Sequence, residues 1–451
     1  MKESKYNHFF PYSDERYIAY NAMSNSLAFM DNAKFAMFKD YCNNGTALPE
    51  DLEADLKKGS FLLDDFVDEL EVLRFKMQQT RFNTDHLGLT IVPTNDCNFR
   101  CSYCYEKDVL SSKYMSQEVQ DKIVELLESR KKLISSFSVT WFGGEPLMNF
   151  DVVESLSRRF IEICDENEIK YSAGMITNGY LLTTDVLSRI KDINITFLQV
   201  TVDGLPEVHD QKRPLTCGGG TFDTIMENLK NGKDLLPSVA LRINVDKNNV
   251  ESGQQIYQFL QDNGLLDKVN PYFGKIENYT EANSETDCLT ACDFSEVDYN
   301  FATFAASSKE ASPIRYPTQK SASCCADTLS SYVIDAEGCI YKCWCDIGDA
   351  ERCVGSIVDT NPVANNDVYL KYMMLDPTIT EPCKTCNVLP ICMGGCPYKR
   401  LQGSGDNCST HKFILDKILK NAATALNSMR EKAAKDAGDI ESNNQNLALA
   451  N

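Results

Sequence analysis

Cys97-Asn98-Phe99-Arg100-Cys101-Ser102-Tyr103-Cys104 is the stretch that decides how this chain folds and what it does. Its thiols follow a C-x3-C-x2-C spacing and stop at three. Clustered thiolates of this kind hold zinc or an iron–sulfur cluster. A [4Fe-4S] cluster has four irons and normally takes four cysteines, so three leave one iron open to another ligand. A zinc knuckle is the alternative, and chance clustering is another in a chain with 19 cysteines. The strand-like run from Leu87 to Pro93, which leads straight into the triple, favours a built loop over chance.

Outward from that loop, 451 residues leave room for two or three domains of about 150 residues each. A hydrophobic content of 43% is enough for a full core. Lys and Arg number 45 against 65 Asp and Glu, a net charge of −20. That opposes a nucleic-acid partner, which needs a basic face. No apolar run reaches the ~18–20 residues that span a bilayer, and Met1 to Tyr20 lacks the apolar centre of a signal peptide. The expected setting is the reducing cytoplasm, with thiols on metals rather than in disulfides.

Residues 87–290 alternate strand and helix patterns. Strand-like runs lie at Gly88–Val92, Phe137–Phe142, Tyr171–Thr177, Thr196–Val202, Ala240–Val245 and Val269–Phe273. Helical patterns lie between them at Ser116–Lys131, Phe150–Glu166, Thr184–Lys191, Phe222–Lys230 and Val250–Asp262. This spacing predicts βαβ units and a parallel sheet, an α/β fold. Active sites on such sheets lie at the C-terminal ends of the strands. The cysteine loop follows the first strand at that end.

The triple closely resembles the cluster loop of radical SAM enzymes, including the aromatic Tyr103 before its last thiol. The resemblance implies a partial (β/α)6 barrel. It also implies that Cys97, Cys101 and Cys104 hold a [4Fe-4S] cluster whose free iron chelates the amino and carboxylate groups of S-adenosylmethionine. Reductive cleavage then yields a 5′-deoxyadenosyl radical. After the second strand, Trp141-Phe142-Gly143-Gly144-Glu145-Pro146 matches the family's GGEP motif. There Gly143 and Gly144 would let backbone approach the ligand, and Glu145 would receive the methionine ammonium. Thr177-Asn178-Gly179 after the third strand also resembles the family, and Thr177 and Asn178 would meet the carboxylate or ribose. Arg242 and Asn244 alternate onto one face of the fifth strand and are further cofactor candidates. Asp203, His209 and Arg213 follow the fourth strand, with His209 expected to be a surface or capping histidine.

Residues 310–410 are dense in cysteine. Cys383, Cys386, Cys392 and Cys396 form C-x2-C-x5-C-x3-C, with Cys408 beyond. Upstream, Cys324 is followed by Gly338 and Cys343 at a matching spacing. Together they resemble the SPASM domain of radical SAM peptide-modifying enzymes. That domain carries two auxiliary [4Fe-4S] clusters, making three in all. By resemblance Cys383, Cys386, Cys392 and Cys408 hold the distal one, and Cys324, Cys343 and Cys396 the proximal one. The proximal fourth ligand is open among Cys325, Cys339, Cys345 and Cys353, or the iron is left for a substrate thiolate. A pair of zinc sites is the alternative. Cys42 and Cys164, in apolar helical surroundings, read as inert core thiols.

Residues 1–86 show a hairpin pattern, Arg16–Tyr20 and Ser26–Met30, then helical patterns at Ala33–Cys42, Pro49–Lys57 and Asp65–Gln78. This predicts a winged-helix-like module. Residues 1–87 hold 10 basic and 15 acidic side chains, a net of −5, so DNA is not its partner. It resembles the element that binds leader peptides by strand addition in maturases of ribosomal peptides. Residues 411–433 read as a C-terminal helix and 434–451 as a disordered tail.

The resemblance therefore implies a peptide maturase that abstracts hydrogen from a precursor peptide and forms a crosslink. A thioether is expected first, then carbon–carbon or ether bonds. Its partners would be the precursor peptide and an electron donor such as flavodoxin or ferredoxin, with no nucleic acid and no membrane. Anaerobic sulfatase maturation to formylglycine is the rival. Those enzymes typically place an aspartate directly after the cysteine matching Cys343, where this chain has Trp344. An iron–sulfur electron carrier is the non-catalytic alternative, but the triple has no fourth cysteine nearby.

Overall fold

Polar turns and capping residues divide the N-terminal segment into short elements. Strand β1 (Lys2–Glu3) is followed by the antiparallel meander β2 (Asn7–Ser13), β3 (Arg16–Asn21) and β4 (Leu27–Asp31). The Asp31 side chain accepts from Lys34 N and starts helix Asn32–Asn44. Helix Glu50–Lys58 follows, then β5 (Leu62–Leu63), which pairs with β1, and helix Glu69–Arg81, capped by Asp68. The expected hairpin is β3–β4. The sequence reading missed β2, which carries Pro11 at a register irregularity, a combination suited to an edge strand. The computed structural model describes residues 1–279, 287–307, 316–322, 324–359, 366–403 and 407–436.

The centre is the parallel sheet expected. Its strands are β6 (His86–Ile91), β7 (Ser136–Trp141), β8 (Lys170–Thr177), β9 (Ile195–Thr201), β10 (Ser238–Val245) and β11 (Val269–Lys275), neighbours in chain order. Helices such as Gln117–Arg130 and Phe150–Glu166 cross between them and bury Ile123, Leu127, Leu156 and Phe160. Six parallel strands put six loops at one rim.

The sheet does not end at β6. Strand β12 (Ser331–Ile334) pairs parallel with β6, Ser331 against Gly88 and Ile334 against Ile91. The short strands β13 (Cys339–Tyr341) and β14 (Gly355–Ser356) continue antiparallel, giving nine strands. The cysteine-rich segment is thus joined to the barrel by backbone hydrogen bonds.

The N-terminal module is likewise tied in. Tyr6, Ile18 and Tyr20 share a core with Val388, Leu389 and Ile391 beside the C-terminal thiols, and with Leu415 and Leu419 of helix His411–Asp436. Arg81, 2% exposed, donates to the carbonyls of Asp327, Tyr372, Met373 and Leu375. That spends the guanidinium on capping backbone from the cysteine-rich segment. The C-terminal helix runs to Asp436, past the expected 433, and the rest of the expected tail lies outside the described residues. Among the described residues no helix is long and apolar enough to cross a membrane.

Candidate functional site

A cavity of about 280 Å³ opens at the C-terminal rim of the sheet. Every cofactor candidate named from the sequence lies on its wall: Cys97, Cys101, Tyr103, Cys104, Gly143, Gly144, Glu145, Thr177, Asn178, Arg242 and Asn244. Burial pushes all three thiols above the ordinary cysteine value, Cys104 to about 12, with Glu145 adding at Cys97 and Glu106 at Cys104. Thiols so placed ionise only against positive charge, which a metal cluster supplies. Among the described residues no three His, Cys, Asp or Glu side chains converge on one ion. A [4Fe-4S] cluster spreads its thiolates over several irons. Three such thiols on one loop suit a [4Fe-4S] cluster with one iron left to another ligand.

Glu145 is fully buried. Its Oε1 accepts Leu147 N at 3.1 Å and Thr177 Oγ1 at 2.7 Å, and its Oε2 accepts Asn178 N at 2.7 Å. A carboxylate has about four acceptor sites, so one is left toward the cavity. Burial raises its pKa, and the three donors oppose that rise. Thr177 is thus spent on orienting Glu145. Asn178 Nδ2 reaches back to Asn98 Oδ1 in the cysteine loop at 2.8 Å.

The two glycines also set how the motif loop packs. A Cβ on Gly144 would sit 2.1 Å from Asp96 O, and one on Gly143, at φ +123°, would sit 2.5 Å from Val92 Cγ1. They allow the motif loop to touch the cysteine loop, and both also line the cavity.

Tyr103 anchors the loop from the other side. Its hydroxyl donates to Asp203 and accepts from Arg213 Nη1 at 2.7 Å and Asn244 Nδ2 at 3.0 Å. Arg242 Nε donates to Asn244 Oδ1 at 2.6 Å, so the two residues expected on one face do share one. His209 is not on the surface. It is fully buried, accepts Asp203 N at 3.1 Å and is held to about 3 by burial and by Arg213. It is a neutral acceptor, in keeping with the capping half of the expectation.

The cavity wall also holds Gln199, Thr201, Lys275, Glu277, Tyr105, Glu106 and Tyr279, which the sequence did not single out, and Trp344, noted there only as the residue after Cys343. Gln199 and Thr201 were legible in principle, as polar residues two apart on a buried strand.

The C-terminal thiols sort into three groups. Cys383 feels Cys392, Cys386 and Cys408, and Lys412 Nζ lies 3.5 Å from Cys408 Sγ. Cys324, Cys343 and Cys396 gather with Cys325 and Cys345: Cys324 and Cys325 Sγ are 3.9 Å apart, Cys345 lies beside Cys343, and Cys396 feels Cys343 and Cys324. Cys339 faces Cys353 instead, both packed against Val92 and Tyr341. Cys164 is buried in the core, as expected, while Cys42 is half-buried beside Glu3 and Lys39.

Residues 91–260 match the family described as the Radical SAM superfamily. A cysteine-type anaerobic sulfatase-maturating enzyme of Clostridium novyi is 25% identical over 73% of this chain and 95% of its own length. The radical SAM cyclopropyl synthase TigE of Paramaledivibacter caminithermalis is 22% identical over 77% and 76%. Among solved structures, native anSMEcpe with bound AdoMet and Kp18Cys peptide superposes with a TM-score of 0.59 at 20% identity, over 75% of this chain and 99% of that one. Streptococcus suis SuiB bound to precursor peptide SuiA gives 0.54 at 15%, over 90% and 98%. These two likenesses establish the fold. Residues 91–260, with their cysteine loop and buried glutamate at one rim, form a domain of the Radical SAM superfamily.

Proposed function

We propose that the protein is a peptide maturase that takes hydrogen from a residue of a ribosomally made precursor and leaves a crosslink. Three thiols facing a buried carboxylate across one cavity carry this conclusion. Bound there, a [4Fe-4S] cluster and S-adenosylmethionine supply a carbon radical able to take hydrogen from unactivated carbon. The chain's part is to bind, orient and exclude water. Cys97, Cys101 and Cys104 ligate the cluster, and the remaining acceptor site of Glu145 takes the methionine ammonium. Thr177 and Asn178 hold Glu145, Tyr103 fixes the loop, and Arg242 and Asn244 face the nucleoside side of the cavity.

Two auxiliary clusters complete the set of three. Cys383, Cys386, Cys392 and Cys408 hold one. Cys324, Cys343 and Cys396, with Cys325 or Cys345, hold the other. Five thiols for four corners permit a closed set, so an open iron is no longer needed to account for the ligands. A thioether stays the first expectation, with carbon–carbon and ether bonds next. The N-terminal module binds the leader, a flavodoxin or ferredoxin supplies electrons, and the setting is the cytoplasm. Support comes from relatives named for sulfatase maturation and cyclopropyl synthesis, and from the likeness to SuiB with its precursor peptide.

Formylglycine formation is the second reading, favoured by the Clostridium novyi relative. Against it, Trp344 occupies the cavity wall, and the nearby Asp346 is turned away into a hydrogen bond with Tyr372 at 2.8 Å. The test is anaerobic incubation with reductant, S-adenosylmethionine and the precursor peptide encoded beside the gene, read by mass spectrometry. Loss of two hydrogens with a crosslinked fragmentation pattern is expected. Formylglycine fragments would select the second reading, and an unmodified peptide would refute both. Equal modification of a leaderless core peptide would refute the module's role.

A further inference from the structure

The chain has two tryptophans, and the fold treats them oppositely. Trp141 closes β7 and is fully buried. Trp344, directly after Cys343, is 38% exposed and lines the cavity. Its ring stacks on Phe142 at 5.3 Å and 29°. Phe142 immediately precedes Gly143, so the pair forms where the cofactor-motif loop meets the cysteine-rich segment. Tyr105 and Tyr279 add to this apolar wall, their rings edge to face at 5.8 Å.

The other side is polar, and several of its groups already engage one another. Arg242 is bonded to Asn244, Gln199 accepts from Tyr272, and Glu277 Oε2 lies 3.4 Å from Lys275 Nζ and 2.9 Å from Lys399 Nζ. A charged side chain entering here loses its water and must compete with partners already made. An apolar one covers exposed indole at no such cost, and aromatic pairs gain from stacking.

We propose that the Trp344–Phe142 stack is the seat for the peptide residue presented to the radical, and that it selects an aromatic or large aliphatic side chain over a charged one. This rests on the peptide-maturase reading and adds what kind of residue the cavity accepts. Trp344 touches substrate and sets specificity.

Because Trp141 is buried, iodide quenching that is lost in Trp344→Phe reports on Trp344. The probes are acetylated, amidated Gly-X-Gly tripeptides with X as Phe, Leu, Lys or Glu. They are titrated into cluster-reconstituted, S-adenosylmethionine-bound protein, with calorimetry alongside. The Phe and Leu peptides should bind about tenfold or more tightly than the Lys and Glu peptides, a step of about 1.4 kcal/mol, and should shield Trp344. Trp344→Ala should abolish the preference and Trp344→Phe should keep it. Four peptides that behave alike, including no binding by any, would overturn the proposal. So would a preference that survives Trp344→Ala. Formation of 5′-deoxyadenosine by the wild-type protein, followed in parallel, separates this outcome from failure of the radical reading.

Discussion

Replacing Glu145 by glutamine tests the fold and the cavity separately. All three groups around the carboxylate are donors: Leu147 N and Thr177 Oγ1 on Oε1, Asn178 N on Oε2. A glutamine must turn its NH2 toward one side. The milder choice faces Asn178 N, losing one bond to a charged acceptor, about 1.5–3 kcal/mol, and leaving a buried N–H unpaired, about 1–3 kcal/mol. Relief from burying a carboxylate, the penalty behind its raised pKa, offsets part of this. A net loss of about 1–3 kcal/mol is expected in denaturant unfolding of the S-adenosylmethionine-free protein. The second effect is on binding. Losing a charge-assisted bond to the ammonium, about 1.5–3 kcal/mol, weakens S-adenosylmethionine by about tenfold to a hundredfold. Equilibrium dialysis with labelled S-adenosylmethionine on reconstituted protein measures it. An unchanged Kd in a folded Glu145→Gln protein would show that the ammonium does not sit on Glu145.

Gly144→Ala places a methyl 2.1 Å from Asp96 O, against backbone that cannot swing aside. The loops must part at a cost of about 1–3 kcal/mol, and iron retained by the first cluster after desalting should fall. Cys339→Ser and Cys353→Ser should leave the iron content unchanged, whereas Cys386→Ser should remove about four irons of about twelve by chemical analysis. A loss of iron in Cys339→Ser would contradict the sorting of the thiols. Burial holds His209 to about 3 and His411 to about 4, against 6.5 ordinarily. The unfolded chain therefore takes up these protons first. The stability that depends on neutral rings is complete above pH 6.5 and lost as pH falls toward 4, each group adding up to ~1.4 kcal/mol per pH unit. Denaturant midpoints between pH 7 and 4.5 should show that slope, and His209→Gln should flatten it.

Local periodicity made the six barrel strands legible, because a parallel strand buried on both faces reads as a short apolar run. The glycine–glutamate motif and the cysteine triple were legible for a different reason, since each is contiguous in the chain. What depended on contacts between distant residues was hidden. Strand β12 is only four residues long, and its partner β6 lies more than two hundred positions upstream. The fourth ligand of the proximal group could not be ranked from spacing. Contacts between distant residues bear on it: Cys339, on β13, faces Cys353, while the turn at 343–346 keeps Cys345 beside Cys343. The N-terminal module read as a separate unit, yet Tyr6 and Tyr20 pack on Val388 and Leu419 at the other end of the chain. Trp344 was noticed as the residue standing where an aspartate was expected, but its stack on Phe142 needed the fold.

The central claim is that Cys97, Cys101 and Cys104 hold a cluster that opens S-adenosylmethionine. The most direct measurement is anaerobic 5′-deoxyadenosine formation by fully reconstituted protein with dithionite, beside Cys101→Ala with its auxiliary irons intact. The account predicts product from the wild type and none from the variant. No product from the wild type, or equal product from both, would contradict it.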